Sequence, residues 1–234
     1  MKIFADLHTH TLASGHAFST LKENALAAKE KGLEILGVSD HGPAMSGAFP
    51  ENNFSALAFF CPEYLEGVRI LKGAELNILG GEPFFDLSFE LLQRLDYVIA
   101  SMHKPITSQK TARETTDLYI ETMKYDFVKI IGHADNADYV MEIERFVEAC
   151  KHYQKIIEIN NSSFVVRKSG LENMRSILKS AKKYQVPVIL NSDAHIYTDI
   201  GKVDLASKLI AEEKFPEDLV VNYNRDLFKA YFGV

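Results

Sequence analysis

The sequence predicts an α/β protein, a distorted (β/α)7 TIM-like barrel forming one domain over residues 1–234. Three observations lead there. Seven short, nearly all-apolar segments alternate with helix-like segments, the pattern of parallel strands covered by helices. No Ser/Gly-rich linker, fixed-period repeat or low-complexity stretch divides the series. Chemistry-bearing residues follow the strands directly, and the C-terminal strand ends of a β/α barrel converge on one face. An open doubly wound sheet is the alternative architecture.

The first strand is Lys2-Ile3-Phe4-Ala5, running into Asp6-Leu7-His8-Thr9-His10. Histidines at i and i+2 share one face of an extended chain, so both imidazoles can reach one ion. His16 follows a Ser14-Gly15 turn and can fold back beside them. Thr20 and Glu23 have capping-box spacing at the head of a helix to Lys31, with Gly32 as its stop. The second strand, Glu34 to Val38, ends at Ser39-Asp40-His41-Gly42. Residues 43–60 read as irregular, with Pro43, Gly47, Pro50 and paired asparagines. A connection of that length suggests a lid or a segment packed on the barrel rim.

The third strand, Val68 to Ala74, ends at Glu75, and a helix is expected over 88–95. The fourth, Tyr97 to Ala100, ends at His103-Lys104, before a helix over 111–124. The fifth, Phe127 to Ile131, ends at Gly132-His133-Ala134-Asp135, before a helix over 142–153. The sixth, Lys155 to Ile159, runs into Asn160-Asn161, before a helix over 171–184. The seventh, Pro187 to Leu190, ends at Asp193-Ala194-His195. A helix over 204–213, a short apolar segment at 219–221 and a terminal helix near Arg225, capped by Asn224, complete the chain.

Composition is that of a globular protein, with ample apolar content for a core. The formal net charge is −6, which argues against binding nucleic acid through a basic surface. Cys61 and Cys150 form no C-x-x-C pair and read as reduced thiols. No basic-then-apolar leader or long apolar run is present. A cytoplasmic protein is expected.

Seven of the eight histidines stand at strand ends, and only His152 lies elsewhere, near the end of a helix. His8, His10, His16, His41, His103, His133 and His195, with Glu75 and Asp193, therefore converge as candidate metal ligands. A catalytic zinc takes three protein ligands plus water, so this set suits about three divalent ions. Imidazole without thiolate suits zinc, and manganese or iron also fits. About three divalent ions beside only two carboxylates keep the site positive and attractive to phosphate. Bound metals also bring the pKa of water to about 7, so hydroxide attack needs no side-chain nucleophile. Glu75, Asp193 and His195 are the candidate catalytic residues. Arg167 and Lys104 are candidate phosphate contacts. Asp40 is a candidate to orient His41 or a neighbouring ligand, and Asn160 and Asn161 to orient ligands or bond the loop backbone.

Assembled, these residues resemble the PHP family, named for polymerase and histidinol phosphatase. The resemblance runs through Asp6-Leu-His-Thr-His10, His16, Ser39-Asp-His-Gly42, Glu75, His103, Gly132-His133 and Ser192-Asp-Ala-His195. It is strongest toward the small stand-alone bacterial YcdX-like phosphatase branch, through Ala13 to Thr20, Glu158 to Phe164 and Phe215 to Leu219. The resemblance implies a trinuclear centre: His8, His10, Glu75 and Asp193 on one ion; Glu75, His103 and His133 on a second, with Glu75 bridging; His16, His41 and His195 on a third. It implies hydrolysis of a small phosphomonoester, with histidinol phosphate suggested by the family name, and a homo-oligomer, a trimer being known among relatives. His133-Ala134-Asp135 departs from a frequent His-Pro, and Asp135 is expected in solvent. Two alternatives are a PHP-type phosphodiesterase or exonuclease, for which the chain lacks a polymerase region, and a metal-dependent amidohydrolase. The latter family typically bridges its metals with a carboxylated lysine, where this chain has His103 and His133.

Overall fold

The computed structural model describes residues 2–82, 84–167 and 170–234. In order, these hold β1 (Ala5–Asp6), α1 (Leu21–Glu30), β2 (Ile35–Val38), α2 (Asn52–Phe60), β3 (Tyr64–Leu65), β4 (Val68–Asn77) and α3 (Phe89–Leu92). Next come β5 (Tyr97–Ser101), α4 (Ala112–Met123), β6 (Val128–Ile131), α5 (Ile143–His152), β7 (Ile156–Asn160) and α6 (Ser163–Val166). The chain ends with α7 (Gly170–Tyr184), β8 (Val188–Asn191), α8 (Asp204–Glu212) and α9 (Arg225–Phe232).

Seven strands pair in parallel in the order β1-β2-β4-β5-β6-β7-β8, and β3 adds a short antiparallel partner to β4. β2, β5, β7 and β8 are buried at every position, which explains their continuous apolar reading. The sheet curls into a nearly closed barrel. Its seam, between β8 and β1, is bridged by the short apolar segment read at 219–221 and the residue after it. Val221 N–H donates to Val188 O at 2.8 Å. The Asn222 amide donates to Ala5 O and Leu190 O, at 2.9 and 2.7 Å, and accepts from Leu190 N–H. Above it, Asn191 Oδ1 accepts from Leu7 N–H at 3.0 Å. Side-chain amides thus satisfy backbone groups that a ladder would otherwise pair.

One core lies between strands and helices. A second fills the barrel and is closed at the N-terminal strand ends by α9. There Phe4 and Phe228 meet edge to face at 5.2 Å, and Phe232 packs on Phe228 at 4.6 Å. Tyr97 crosses the interior, its hydroxyl donating to Leu7 O at 2.5 Å. Gly37 makes room for it, since a Cβ there would lie 2.2 Å from the hydroxyl.

The capping boxes at Thr20/Glu23 and Thr111/Glu114 form, and Asn224 caps α9. Three expectations are corrected. The third strand runs on to Asn77, so Glu75 lies within β4 rather than after it. The helix expected over 88–95 is the single turn Phe89–Leu92. Residues 43–60 are irregular only to Glu51, and 52–60 form α2, which lays Phe54, Leu57 and Ala58 on the outer core. The paired asparagines open that helix rather than mark a loop. Tertiary burial of one apolar face outweighs their weak helix preference.

Candidate metal centre

The nine candidate ligands converge at the C-terminal strand ends around an open cup of about 390 Å³. His8 and His10, carried on the extension of β1, are fully buried at its floor. His16, His41, Glu75, His103, His133, Asp193 and His195 line its wall. Two of the nine adopt left-handed backbone, His133 at φ 25° and Asp193 at φ 56°. For residues with a Cβ this costs roughly 1–3 kcal/mol each, a cost that concentrates at functional sites.

Glu75 is the hub. Its Oε1 lies 2.9 Å from His133 Nε2 and 3.3 Å from His103 Nε2. Its Oε2 lies 2.7 Å from His41 Nδ1, 3.3 Å from His8 Nε2 and 3.7 Å from His10 Nε2. One carboxylate thus divides its oxygens between two groups of imidazoles, the disposition of a bridging ligand. Asp193 Oδ1 faces His10, His8 and His195 at 3.1, 3.4 and 3.6 Å. His16 Nε2 and His195 Nε2 face each other at 3.1 Å.

Buried partners fix the rings. His8 Nδ1 lies 2.6 Å from Glu158 Oε1, a carboxylate that also accepts from His133 N–H and the Asn160 and Asn191 amides. His10 Nδ1 meets Ser14 Oγ at 2.9 Å, and that hydroxyl donates to Asp40 at 2.7 Å. His103 Nδ1 meets Asn77 Oδ1 at 2.8 Å, and Asn77 donates to Asp86. Each contact leaves Nε2 for the cup, the usual support of a metal-ligating histidine.

Electrostatics agree with this arrangement. Burial pushes the Glu75 carboxyl upward, but His8, His103 and His41 outweigh it and hold it well below the carboxylate range. Asp193 is likewise held low, His8 and His10 outweighing burial. Burial, aided by Arg167, takes His133 down to about 4, and burial with His41 beside it lowers His10 strongly. Neutral imidazoles and ionised carboxylates are the protonation states that bind metal. His8 is the exception: burial lowers it, but Glu158, Asp193 and Glu75 outweigh that and raise it well above the ordinary imidazole range, so that a cation would displace its proton. The donor set fits a cation by a second test. His8 Nε2, His41 Nδ1 and Glu75 Oε2 are buried with no hydrogen-bond partner among the described residues, the 2.7 Å approach of His41 Nδ1 to Glu75 Oε2 lacking the angles of a hydrogen bond. Three compact triads of ligand atoms can be drawn: His10/His41/His195, His8/His10/Glu75 and His41/Glu75/His103. The second lies within the first ligand group named from resemblance, and the other two cross its group boundaries.

Other expected residues divide. Arg167 stands on the cup wall, with Nη2 3.9 Å from Asp193 Oδ2. Lys104 does not reach it. Its ammonium turns outward to Asp138 at 2.7 Å and is half exposed, because Asp138 offers a carboxylate without desolvation. Asn160 orients a ligand, donating to Asp193 Oδ2 at 3.1 Å, whereas Asn161 caps α8 through Leu205 and Ala206 N–H. Asp40 acts through Ser14 on His10. Asp135 is fully buried rather than solvated. Met45 lines the cup, as one contribution of 43–60. His152 ends α5 away from the site, beside the Tyr153 ring. Glu158, Asn77, Asp86 and Ser14 were not foreseen as ligand supports. A lone carboxylate inside the apolar run Ile156-Ile157-Glu158-Ile159 was the signal for Glu158.

Residues 6–164 match the model of the PHP domain. A probable phosphatase of Acetivibrio thermocellus is 42% identical over 99% of this chain and 95% of its own length. One from Caldanaerobacter subterraneus subsp. tengcongensis is 45% identical over 99% and 91%. Among solved structures, histidinol phosphate phosphatase of Lactococcus lactis, complexed with zinc, L-histidinol and phosphate, superposes with a TM-score of 0.63. It is 16% identical, over 92% of this chain and 95% of that one, a likeness of fold. No helix among the described residues is long and apolar enough to cross a membrane.

Proposed function

The chain belongs to the PHP domain family, and we propose that it is a metal-dependent phosphatase that hydrolyses a small phosphomonoester at a centre of about three divalent ions. The observation that carries this reading is Glu75, its two oxygens shared among five imidazoles, with unpartnered ligand atoms around it. His8, His10, His16, His41, His103, His133 and His195, with Glu75 and Asp193, would hold the ions. Zinc is favoured by the imidazole-rich donors, with manganese or iron next. When bound, such ions supply Lewis acidity toward phosphate oxygens and a hydroxide near neutral pH.

The chain's own residues do the rest. Glu75 and Asp193 keep their negative charge on the wall, fixing where positive charge sits. Arg167 presents a planar fork that can take two phosphate oxygens. Asp193 and His195, both on the wall, would flank a phosphate bound in the cup, and with Glu75 are assigned to catalysis. The cup's open mouth admits a small ester, and the family names among the relatives support phosphate as the group removed. Two free thiols favour a reducing, cytoplasmic setting.

The test is hydrolysis of p-nitrophenyl phosphate and bis-p-nitrophenyl phosphate by protein purified without chelator. Faster monoester cleavage, abolished by chelator and restored by zinc or manganese, is expected. Faster diester cleavage would overturn the monoesterase reading in favour of the phosphodiesterase one.

A further inference from the structure

Arg167 follows α6, a single turn in the connection after β7. Its Nη1 donates to Ser163 Oγ at 2.7 Å, and Ser163 Oγ donates to Asp135 Oδ1 at 3.2 Å. Ser163 and Asp135 are both fully buried. A hydroxyl has one proton to give, and here it goes to the carboxylate, leaving lone pairs for the guanidinium. Nη2 is thereby left facing the cup.

The far end of the relay is held through its backbone, and Asp135 Oδ2 has no hydrogen-bond partner among the described residues. Asp135 O accepts from Asn173 Nδ2 at 2.9 Å. Its carboxylate rests against the start of α7, where a Cβ on Gly170 would lie 2.6 Å from Oδ2. The near end is tied to the ligand set. Ser163 N–H donates to Asn160 Oδ1 at 3.0 Å, and Asn160 Nδ2 donates to Asp193. The same residue therefore anchors Arg167 and, through Asn160, registers it against Asp193.

We propose that Ser163 and Asp135 are positioning residues that hold the Arg167 guanidinium in place as a phosphate clamp. The proposal rests on the reading of the cup as a phosphate site. A long cationic side chain on a short helical turn would otherwise lose rotamer freedom on binding. The relay removes that loss beforehand by pre-organisation.

The test is a double-mutant cycle on Ser163→Ala and Arg167→Ala. Readouts are KM and kcat for p-nitrophenyl phosphate and the Kd of inorganic phosphate, titrated calorimetrically into metal-loaded protein. Arg167→Ala is expected to raise KM and Kd by about 10- to 100-fold, the size of a charge-assisted contact. Ser163→Ala is expected to raise both by about 3- to 10-fold, kcat moving less. In the Arg167→Ala background it is expected to add nothing. Gly170→Ala, which pushes on Asp135 from outside the cup, should act in the same direction and only while Arg167 is present. Ser163→Cys, a weak acceptor of similar size, carries the same expectation should the alanine variant fold poorly.

An equal penalty for Ser163→Ala in both backgrounds, or a fall in kcat without a change in KM, would overturn the relay. Unchanged KM and Kd in Arg167→Ala would overturn the clamp while leaving the site intact. Wild-type protein that neither binds phosphate nor cleaves the ester would overturn the underlying reading of the cup.

Discussion

At the C-terminal ends of the strands, seven imidazoles and two carboxylates crowd an open cup. At the N-terminal ends, Phe4, Tyr97, Phe228 and Phe232 close the same barrel with aromatic rings. The lower end is closed by packing: its rings bury one another and the Tyr97 hydroxyl is paired. The upper end is not. Buried nitrogen and carboxylate atoms there have no hydrogen-bond partner among the described residues, and two candidate ligands sit in strained backbone. Packing accounts for one end, while the other presents unpartnered donors of the kind a cation would satisfy. The division matches the rule that barrel stability is concentrated at the bottom and chemistry at the top.

Substitutions at the two ends should therefore separate cleanly. Phe228→Ala is expected to lower stability by about 3–5 kcal/mol in a denaturant melt, with unchanged turnover per folded molecule. A selective loss of turnover there would break the comparison. Glu75→Gln is expected to lower phosphatase turnover by roughly 10²–10³-fold, the scale of removing one electrostatic contact at a reacting centre. Its far-ultraviolet circular dichroism should stay native. Glu158→Gln sharpens the comparison, since it alters a support rather than a ligand. Chelator competition should show metal affinity about 10- to 100-fold weaker.

The smallest effect belongs to the lower end's buried cation. Lys155 Nζ donates to Tyr125 O and Val128 O, and burial pushes its ammonium down to about 8. The unfolded chain binds that proton more tightly, so stability is lost as pH falls through about 8 and gained as it rises toward the ordinary lysine range. Stability measured across that range should rise less steeply in Lys155→Met than in wild type. Equal slopes would remove Lys155 from the explanation.

Much of this was legible in the residues. Seven apolar runs named seven strands, and polar residues at their ends named the cup, because a parallel barrel sends every strand end to one face. What the pattern could not carry was set by tertiary contact. Asn52 and Asn53 open a helix because Phe54 and Leu57 find a core to cover. Lys104 leaves the cup because Asp138 offers a cheaper partner in solvent. Asp135 is buried because Ser163 and the glycine at 170 enclose it. Asn77 and Asp86 gave no local signal at all: their role exists only where Asn77, at the end of β4, meets His103 and the following loop brings Asp86 to Asn77. Conversely, the apolar segment at 219–221 could be seen but not placed, since only the closed barrel has a seam to fill.

The most direct test is the metal content, by elemental analysis, of wild-type protein and of Glu75→Gln, both purified without chelator. About three ions per wild-type chain, with at least one lost in the variant, is the expected result. A wild-type chain that cleaves phosphomonoesters while holding no metal, or a Glu75→Gln chain that keeps its full complement, would contradict the assignment of the cup as a metal centre bridged by Glu75.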